Sequence, residues 1–269
     1  MKSSSDGIGG GSIVRRKADG GFECVTDEVA VEDPLEIRIN GNSAAITMRT
    51  PGNDDELAAG FLLSEGVIRS RGDLRGLRQN AGSVDVAIDS DLQLDAMKRF
   101  GTISSSCGLC GKTSIDAIRT QFPAIDSDAK ITSEQLLAMP DRLRKEQANF
   151  DRTGGLHGAA LFELTNDSVV LREDVGRHNA VDKVIGRALF DDRLPLRDYA
   201  LMVSGRASLE IVQKALAAGV PIVASVSAPS SLAINFARET GITLIGFLRP
   251  PTFNIYSHVE RLDTSRLSS

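Results

Sequence analysis

The sequence predicts an α/β protein in which a helix-flanked, mostly parallel mixed sheet follows a smaller α+β lobe. Three observations carry this. "YALMVS", "PIVASVS" and "ITLIGFL" are short apolar runs separated by amphipathic "ASLEIVQKALAAG" and "SLAINFARET", an alternation that builds βαβ units. Upstream, "HGAALFEL" and "SVVLRED" flank the turn-rich "TNDS", predicting an antiparallel pair at one edge of that sheet. In the first hundred residues, Leu35, Ile37 and Ile39 alternate with polar neighbours and lead into Asn40-Gly41, a strong hairpin signal.

Taken in order, residues 1–20 begin "MKSSSDGIGGGS", rich in Gly and Ser and poor in apolar side chains, and read as a flexible tail. Residues 21–105 make the small lobe. It holds the hairpin of "EVAVEDPLEIRINGNSAAITMRTPG", then a helix over "NDDELAAGFLLSEGVI" with an acidic first turn and Gly66 near its end. A strand at "SVDVAIDS" and a short helix at "QLDAMKRF" complete it. Residues 106–124 carry a CxxC loop, expected to be mobile, and a helix from Thr113 to Arg119. Residues 125–269 form the sheet lobe. Its first helix, "TSEQLLAMPDRLRKEQANF", is capped by Thr132 and bent or broken at Pro140. "NAVDKVIGRALF" is a further helix.

With 269 residues, 25% of them charged and 41% hydrophobic, the chain has the composition of a globular protein. A net charge of −5 argues against nonspecific nucleic-acid binding, which needs a basic field. No apolar run reaches the length of a membrane span, and no signal core opens the sequence. Three cysteines make no disulfide framework, so a cytoplasmic, reducing setting is expected.

Two of those cysteines stand in "SSSCGLCGKTS", as Cys107 and Cys110. The plain alternative is two incidental loop cysteines. A thioredoxin-like redox pair requires an early βαβ unit with a good strand before the motif, and "GTISSS" is a poor strand. Structural zinc needs four ligands, yet Cys24 is isolated and His157, His178 and His258 have no zinc spacing. A zinc deaminase needs HxE and a later PCxxC, both missing here. "SCGLCGKT" imitates a P-loop, with Ser106 where the first glycine belongs. A sulfur-carrying nucleophile fits differently: a thiol just before a helix, beside Lys112, has its pKa lowered and gains reactivity.

Two turns after parallel strands, "SGRAS" (Ser204, Gly205, Arg206 and onward) and "SVSAPSS" (with Ser227), open helices. Simple serine capping explains either one alone. Together on one sheet edge, with Arg249 nearby, they suit an anionic ligand. "REDVGRHNAVDK" reads first as a solvated charge run, although a histidine at a strand-to-helix turn also suits proton handling. His157 is expected as a hydrogen-bonded, buried histidine.

"SSCGLCGK", "GGLHGAALF", "REDVGRHNAVDKVIG", "VSGRASLEIVQKALAAGVPIVASVSAPSSLAI" and "GITLIGFLR", in that order, resemble the FdhD family of formate dehydrogenase accessory sulfurtransferases. The resemblance runs from about Val29 to His258. It implies a cytidine-deaminase-like three-layer core without the deaminase zinc, a homodimer, and sulfur transfer from a cysteine desulfurase. The acceptor it implies is the molybdenum cofactor in its bis-molybdopterin guanine dinucleotide form, before insertion into formate dehydrogenase. It assigns the persulfide to Cys107, with Cys110 assisting by thiol exchange. Its cofactor contact falls on Phe247, Leu248, Arg249, Pro250, Pro251 and Thr252, where the Pro250-Pro251 pair departs from the family pattern. Two rival classes remain: a cofactor chaperone that transfers no sulfur, and a thiol-disulfide oxidoreductase.

Overall fold

The computed structural model describes residues 2–3, 7–93, 121–166 and 168–263. Cys107, Cys110, the helix expected from Thr113 to Arg119 and most of the one expected at "QLDAMKRF" lie outside them.

The N-terminus is not a tail. After β1 (Lys2–Ser3), β2 (Ile8–Arg16) pairs antiparallel with β3 (Phe22–Ala30) along its whole length, from Ile8↔Ala30 to Arg16↔Phe22. Composition hid this. The β-branched residues Ile8, Ile13 and Val14 in β2 and Val25 and Val29 in β3 favour extended chain without a regular alternation, and Gly20 closes the turn at φ +91°. Arg152 pairs with Glu28 and ties the hairpin to the body.

β4 (Asp33–Ile39) and β5 (Asn42–Arg49) form the second hairpin. Asn40 and Gly41, at φ 48° and 82°, make the two-residue turn that the sequence signals. β6 (Leu74–Asn80), not anticipated, pairs with β7 (Ser83–Ile88), giving the sheet order β5-β4-β7-β6. Its "LRGLRQN" carries only Leu74 and Leu77 as apolar residues, too few for a visible alternation. α1 (Asp54–Ser64) covers this sheet.

β8 (Ile131–Thr132) leads into α2 (Ser133–Glu146), where Thr132 and Gln135 exchange both bonds of a capping box. The helix runs on through Pro140 without the break that residue could impose, and stops only at Gln147, before α3 (Ala148–Thr153). Then follow β9 (His157–Glu163), β10 (Val169–Asp174), α4 (Arg177–Phe190), β11 (Tyr199–Val203), α5 (Leu209–Ala218), β12 (Ile222–Ser225), α6 (Ser231–Thr240) and β13 (Thr243–Arg249). β14 (Thr252–Ser257) and β15 (Leu262–Asp263) end the described chain.

The main sheet has the order β10-β9-β11-β12-β13-β14. It is mixed but not mostly parallel. Only β11/β12 and β12/β13 are parallel pairs, and both edges are antiparallel. The reason is twofold: β9 pairs antiparallel with β11 as well as with β10, and β14, whose "TFNIYS" pairs back onto β13, adds a second antiparallel edge.

Period-two alternation sorts each strand between two layers of helix. Ala160, Phe162, Ala200, Met202, Ile222 and Ala224 face α2 through Leu136, Met139 and Leu143. Ala159, Leu161, Leu201, Val203 and Val223 face the layer of α4, α5 and α6. That second core continues without a break into Leu35, Ile37, Val84 and Leu57 of the small lobe, so α4 is shared by both.

Candidate functional site

Topology brings the sequence-predicted loops to one edge. The parallel strands β11, β12 and β13 all end there, and antiparallel β9 begins there with His157. Backbone bonds stitch the turns together. Val226 N donates to Val203 O, Ser230 N to Ala207 O, and Phe247 N to Ser227 O.

Ser204 accepts Gly158 N on its Oγ at 2.9 Å, and Ser225 Oγ donates to the Gly205 carbonyl at 2.6 Å. Ser230 caps α6 by accepting Ala233 N, the plain role of a serine at this position. Ser208 makes no such cap and instead lies 3.2 Å from His178 Nε2. Arg206 is exposed.

Across the β13–β14 turn the register shifts between Gly246 and Arg249. The bulge sends alternate side chains to unexpected sides. Leu248 is fully buried among Ala224 and Ile245, so its side chain is core and not a ligand contact. Phe247, at φ +51°, is 39% exposed, with the Arg249 guanidinium 5.9 Å from its ring. Arg249 Nε donates to Val226 O at 2.9 Å, fixing that cation on the rim. Pro250, Pro251 and Thr252 form the exposed tip.

Gly205 permits a close approach: a Cβ there would lie 3.3 Å from His157 Nδ1 and 3.5 Å from Arg177 Cδ. Arg177, first residue of α4, keeps its Nε buried and without a hydrogen-bond partner. Sequence reading placed Arg177 in a charge run and gave it no role. The signal was its position at a strand-to-helix turn.

Both histidines feel that cation. His178 is held down to about 3, by burial first and then by Arg177, Lys214 and His157. Its Nδ1 lies 3.3 Å from a Glu210 carboxylate oxygen, a contact that is an ion pair only when the ring is protonated. Burial raises the Glu210 carboxyl, against the pull of Lys214. The His157 pKa is lowered by burial and Arg177, against a weaker pull from Asp174.

A pH dependence follows. An unfolded imidazole binds its proton near 6.5, whereas folded His178 binds it only near 3. Between those values the unfolded chain holds more protons, so this contribution is complete above 6.5 and is lost as pH falls toward 3. Lowering pH from 7 to 5 should cost wild type about 2 kcal/mol more than His178→Asn. Urea unfolding followed by far-UV circular dichroism checks this; equal losses in both proteins would refute it. Comparing the two proteins cancels Glu210, whose raised pKa acts with the opposite sign.

"REDVGRHNAVDK" is not a solvated run. Arg172 grips Glu56 of α1 with two bonds, and Glu173 accepts the backbone N–H groups of Asn149 and Phe150 at the start of α3. Asp174 pairs with Lys183 at 2.7 Å, both buried. The charges face inward because α4 lies between two lobes.

Next to the loops lies a cleft of about 620 Å³. Pro140, Leu143, Phe150 and Leu156 give it apolar walls, and Gln147, His157 and Ser204 supply polar groups. Among the described residues no cluster of three or more His, Cys, Asp or Glu is placed to hold a metal, and no helix is long and apolar enough to cross a membrane.

The FdhD/NarQ family model matches residues 30–263. A sulfur carrier protein FdhD from Streptomyces coelicolor is 50% identical over 264 residues, covering 93% of this chain and 94% of its own. Its counterpart in Sulfolobus acidocaldarius is 44% identical over 251 residues, with 93% and 97% covered. A crystal structure of a formate dehydrogenase accessory protein from Desulfotalea psychrophila superposes with a TM-score of 0.78 at 26% identity, covering 95% of this chain and 99% of that one. On a match that spans the small lobe and the mixed sheet alike, this chain belongs to the FdhD/NarQ family.

Proposed function

We propose that this chain is a sulfur carrier that receives sulfur on Cys107 from a cysteine desulfurase. It then passes the sulfur to the molybdenum cofactor, as bis-molybdopterin guanine dinucleotide, before that cofactor enters formate dehydrogenase. The observation that carries the reading is full-length similarity to proteins named for sulfur carriage, together with "CGLC" at Cys107 and Cys110. The helix–sheet–helix layering fits the cytidine-deaminase-like core that such a protein is expected to have, and the protein would act in the cytoplasm as a homodimer.

The chemistry balances. The Cys107 thiolate attacks the outer sulfur of the desulfurase persulfide, that S–S bond breaks, and the desulfurase thiolate leaves. Cys110 then attacks the inner sulfur of the Cys107 persulfide. A Cys107–Cys110 disulfide forms, the outer sulfur leaves reduced as hydrosulfide, and it becomes a ligand of the metal. An external dithiol restores the cysteines.

The strand-end loops fit an anionic cargo. Gly205 and Arg206 offer backbone N–H groups and a cation near the start of α5, the Ser204 and Ser227 N–H groups being taken by Gly158 O and Ser225 Oγ, and Arg249 with Phe247 and the Pro250–Thr252 tip offers a rim. Arg177, with its orphaned Nε, adds a positive charge packed beside Gly205. Gln121 donates to Glu65 O at the end of α1, and Gln213 on α5 donates to the neighbouring Ser64 O. Cys110 is eleven residues before Gln121.

Intact-protein mass spectrometry after incubation with a desulfurase and free cysteine tests this. Wild type should gain one reductant-sensitive sulfur atom, Cys107→Ala none, and Cys110→Ala should load but fail to release. If Cys107→Ala still supports active formate dehydrogenase, the protein is a cofactor chaperone and the carrier reading fails.

A further inference from the structure

Ser208, His178 and Glu210 meet where α4 and α5 begin. Ser208 Oγ lies 3.2 Å from His178 Nε2, and a Glu210 carboxylate oxygen lies 3.3 Å from Nδ1, on the other side of the same ring. A hydroxyl and a carboxylate on opposite nitrogens of one imidazole is the arrangement by which serine hydrolases make a nucleophile. Such contacts are commonly long and imperfectly aligned until substrate binds. The ring comes from one helix start and its two neighbours from another, so the packing of α4 against α5 assembles the three.

Ser208 does not do what a serine usually does at this position. It is the N-cap of α5 in extended backbone, yet its hydroxyl caps no N–H of the first turn, whereas Ser230 caps α6. First-turn N–H groups have no partner within their helix and are the kind of donor that stabilises an oxyanion. Ser208 is partly exposed and the His178 side chain 25% exposed, so solvent reaches both.

The charged groups around the ring decide which substrate suits it. Arg177 lies beside it on α4, Glu210 and Lys214 on α5, and His157 on β9, while Asp182 and Glu65 act through Lys214. Burial first, then Arg177 and Lys214, keep the ring neutral, so Nε2 is free to take a proton at physiological pH. The same cations oppose the imidazolium that forms when it does. Asp182 already offsets Lys214. Arg177 Nε has no partner, and a negative group on the substrate would offset that cation.

We propose that Ser208, His178 and Glu210 form a nucleophilic triad, and that the chain hydrolyses carboxylic esters carrying a negative charge, an activity separate from sulfur carriage. Ser208 Oγ attacks the ester carbonyl and its proton passes to His178 Nε2. The ester C–O bond breaks, the leaving alcohol takes that proton, and an acyl ester of Ser208 remains. Water attacks this ester and gives a proton to the same nitrogen; the acid leaves and Ser208 recovers its hydrogen. Ser208 and His178 are the catalytic residues, and Glu210 positions the ring.

An alkyl fluorophosphonate, which loses fluoride to an activated serine, tests this on the full chain by intact mass and tryptic mapping. Ser208 is the only hydroxyl-bearing residue of the tryptic peptide 207–214, so the site is read directly. Folded wild type should take one adduct on that peptide, and urea-unfolded chain none. His178→Asn should label about a hundred-fold more slowly. Glu210→Gln should lower kinact about ten-fold and leave KI unchanged, a split that a merely structural role would not produce. Relative to its uncatalysed rate, anionic 4-acetoxy-3-nitrobenzenesulfonate should turn over about ten-fold faster than neutral 4-nitrophenyl acetate, and Arg177→Met should remove that preference. No adduct on the peptide would overturn the proposal. So would equal labelling of folded and unfolded chain, or labelling that His178→Asn leaves unchanged. Unfolding midpoints of the variants separate lost reactivity from lost fold, and the wild-type adduct decides the matter even where a variant fails to fold. Sulfur loading on Cys107 is a different mass shift, so either reading can fail without the other.

Discussion

Replacing Asp182 by alanine should destabilise the fold by about 3–5 kcal/mol, the range for a buried ion pair left with one partner. Asp182 lies on the inner face of α4, where both carboxylate oxygens accept Lys214 Nζ, at 2.9 and 2.8 Å. Ser64 Oγ of α1 adds a third bond at 2.8 Å. Burial works against the Lys214 ammonium, but the carboxylates of Asp182, Glu210 and Glu65 outweigh it and hold its pKa above the usual lysine value. Without Asp182 that ammonium keeps a 3.8 Å contact to Glu210, the more distant pull of Glu65 and the face of Phe61, in a site 2% exposed. The cost therefore comes from the stranded charge, not from the intrinsic worth of the pair. A double variant, Asp182→Leu with Lys214→Met, should recover most of the loss, because apolar replacement of a whole buried pair is often near neutral. The chain has no tryptophan, so urea unfolding is best followed by far-UV circular dichroism. A single variant within about 1 kcal/mol of wild type would show that water reaches the pair.

What the sequence made legible was periodic. Asn40-Gly41, the alternation of Leu35, Ile37 and Ile39, and the apolar runs from Tyr199 to Leu248 each carry a local signal, and each became the expected element. What it hid depends on partners distant in the chain. β2 pairs with β3 although glycine and serine dominate the start of the chain, because a few β-branched residues, with Ile13 opposite Val25, and a turn at Gly20 suffice for pairing. β14 is extended because β13 is beside it, and with the antiparallel β9–β11 pair it leaves the sheet with three antiparallel pairs against two parallel. Pro140 fits α2 because local propensity was overridden by packing of Leu136, Met139 and Leu143. At the candidate site the two serine-rich turns were legible, since helix starts after parallel strands are recognisable from pattern alone. The meeting of Ser208 and Glu210 with His178 was not, because it depends on how α4 packs against α5. Leu248 was misjudged for a related reason: a one-residue bulge reverses which side chains face outward, and no spacing rule reveals a bulge. The inward turn of "REDVGRHNAVDK" likewise depended on α1, over a hundred residues upstream.

Gly186→Ala should destabilise the chain by about 3 kcal/mol, although alanine is the better helix former by about 1 kcal/mol. α1 and α4 cross at two glycines. A Cβ on Gly186 would fall 1.9 Å from Glu56 O, and one on Gly60 would fall 1.9 Å from Asp182 O. Both obstacles are backbone, which no rotamer change can move, so the helices must separate. Separation would stretch the Ser64–Asp182 bond and the Arg172–Glu56 pair, and it would shift the start of α4, where Arg177 and His178 face the strand-end loops. The stability loss should therefore come with weaker binding at those loops, even though Gly186 touches no ligand. Gly76→Ala provides the control, because nothing lies within 4 Å of the added methyl, and it should stay within about 0.5 kcal/mol of wild type. Should Gly186→Ala prove as stable as Gly76→Ala in urea, the two helices lie farther apart than described, and the link from this crossing to the geometry of Arg177 fails with it.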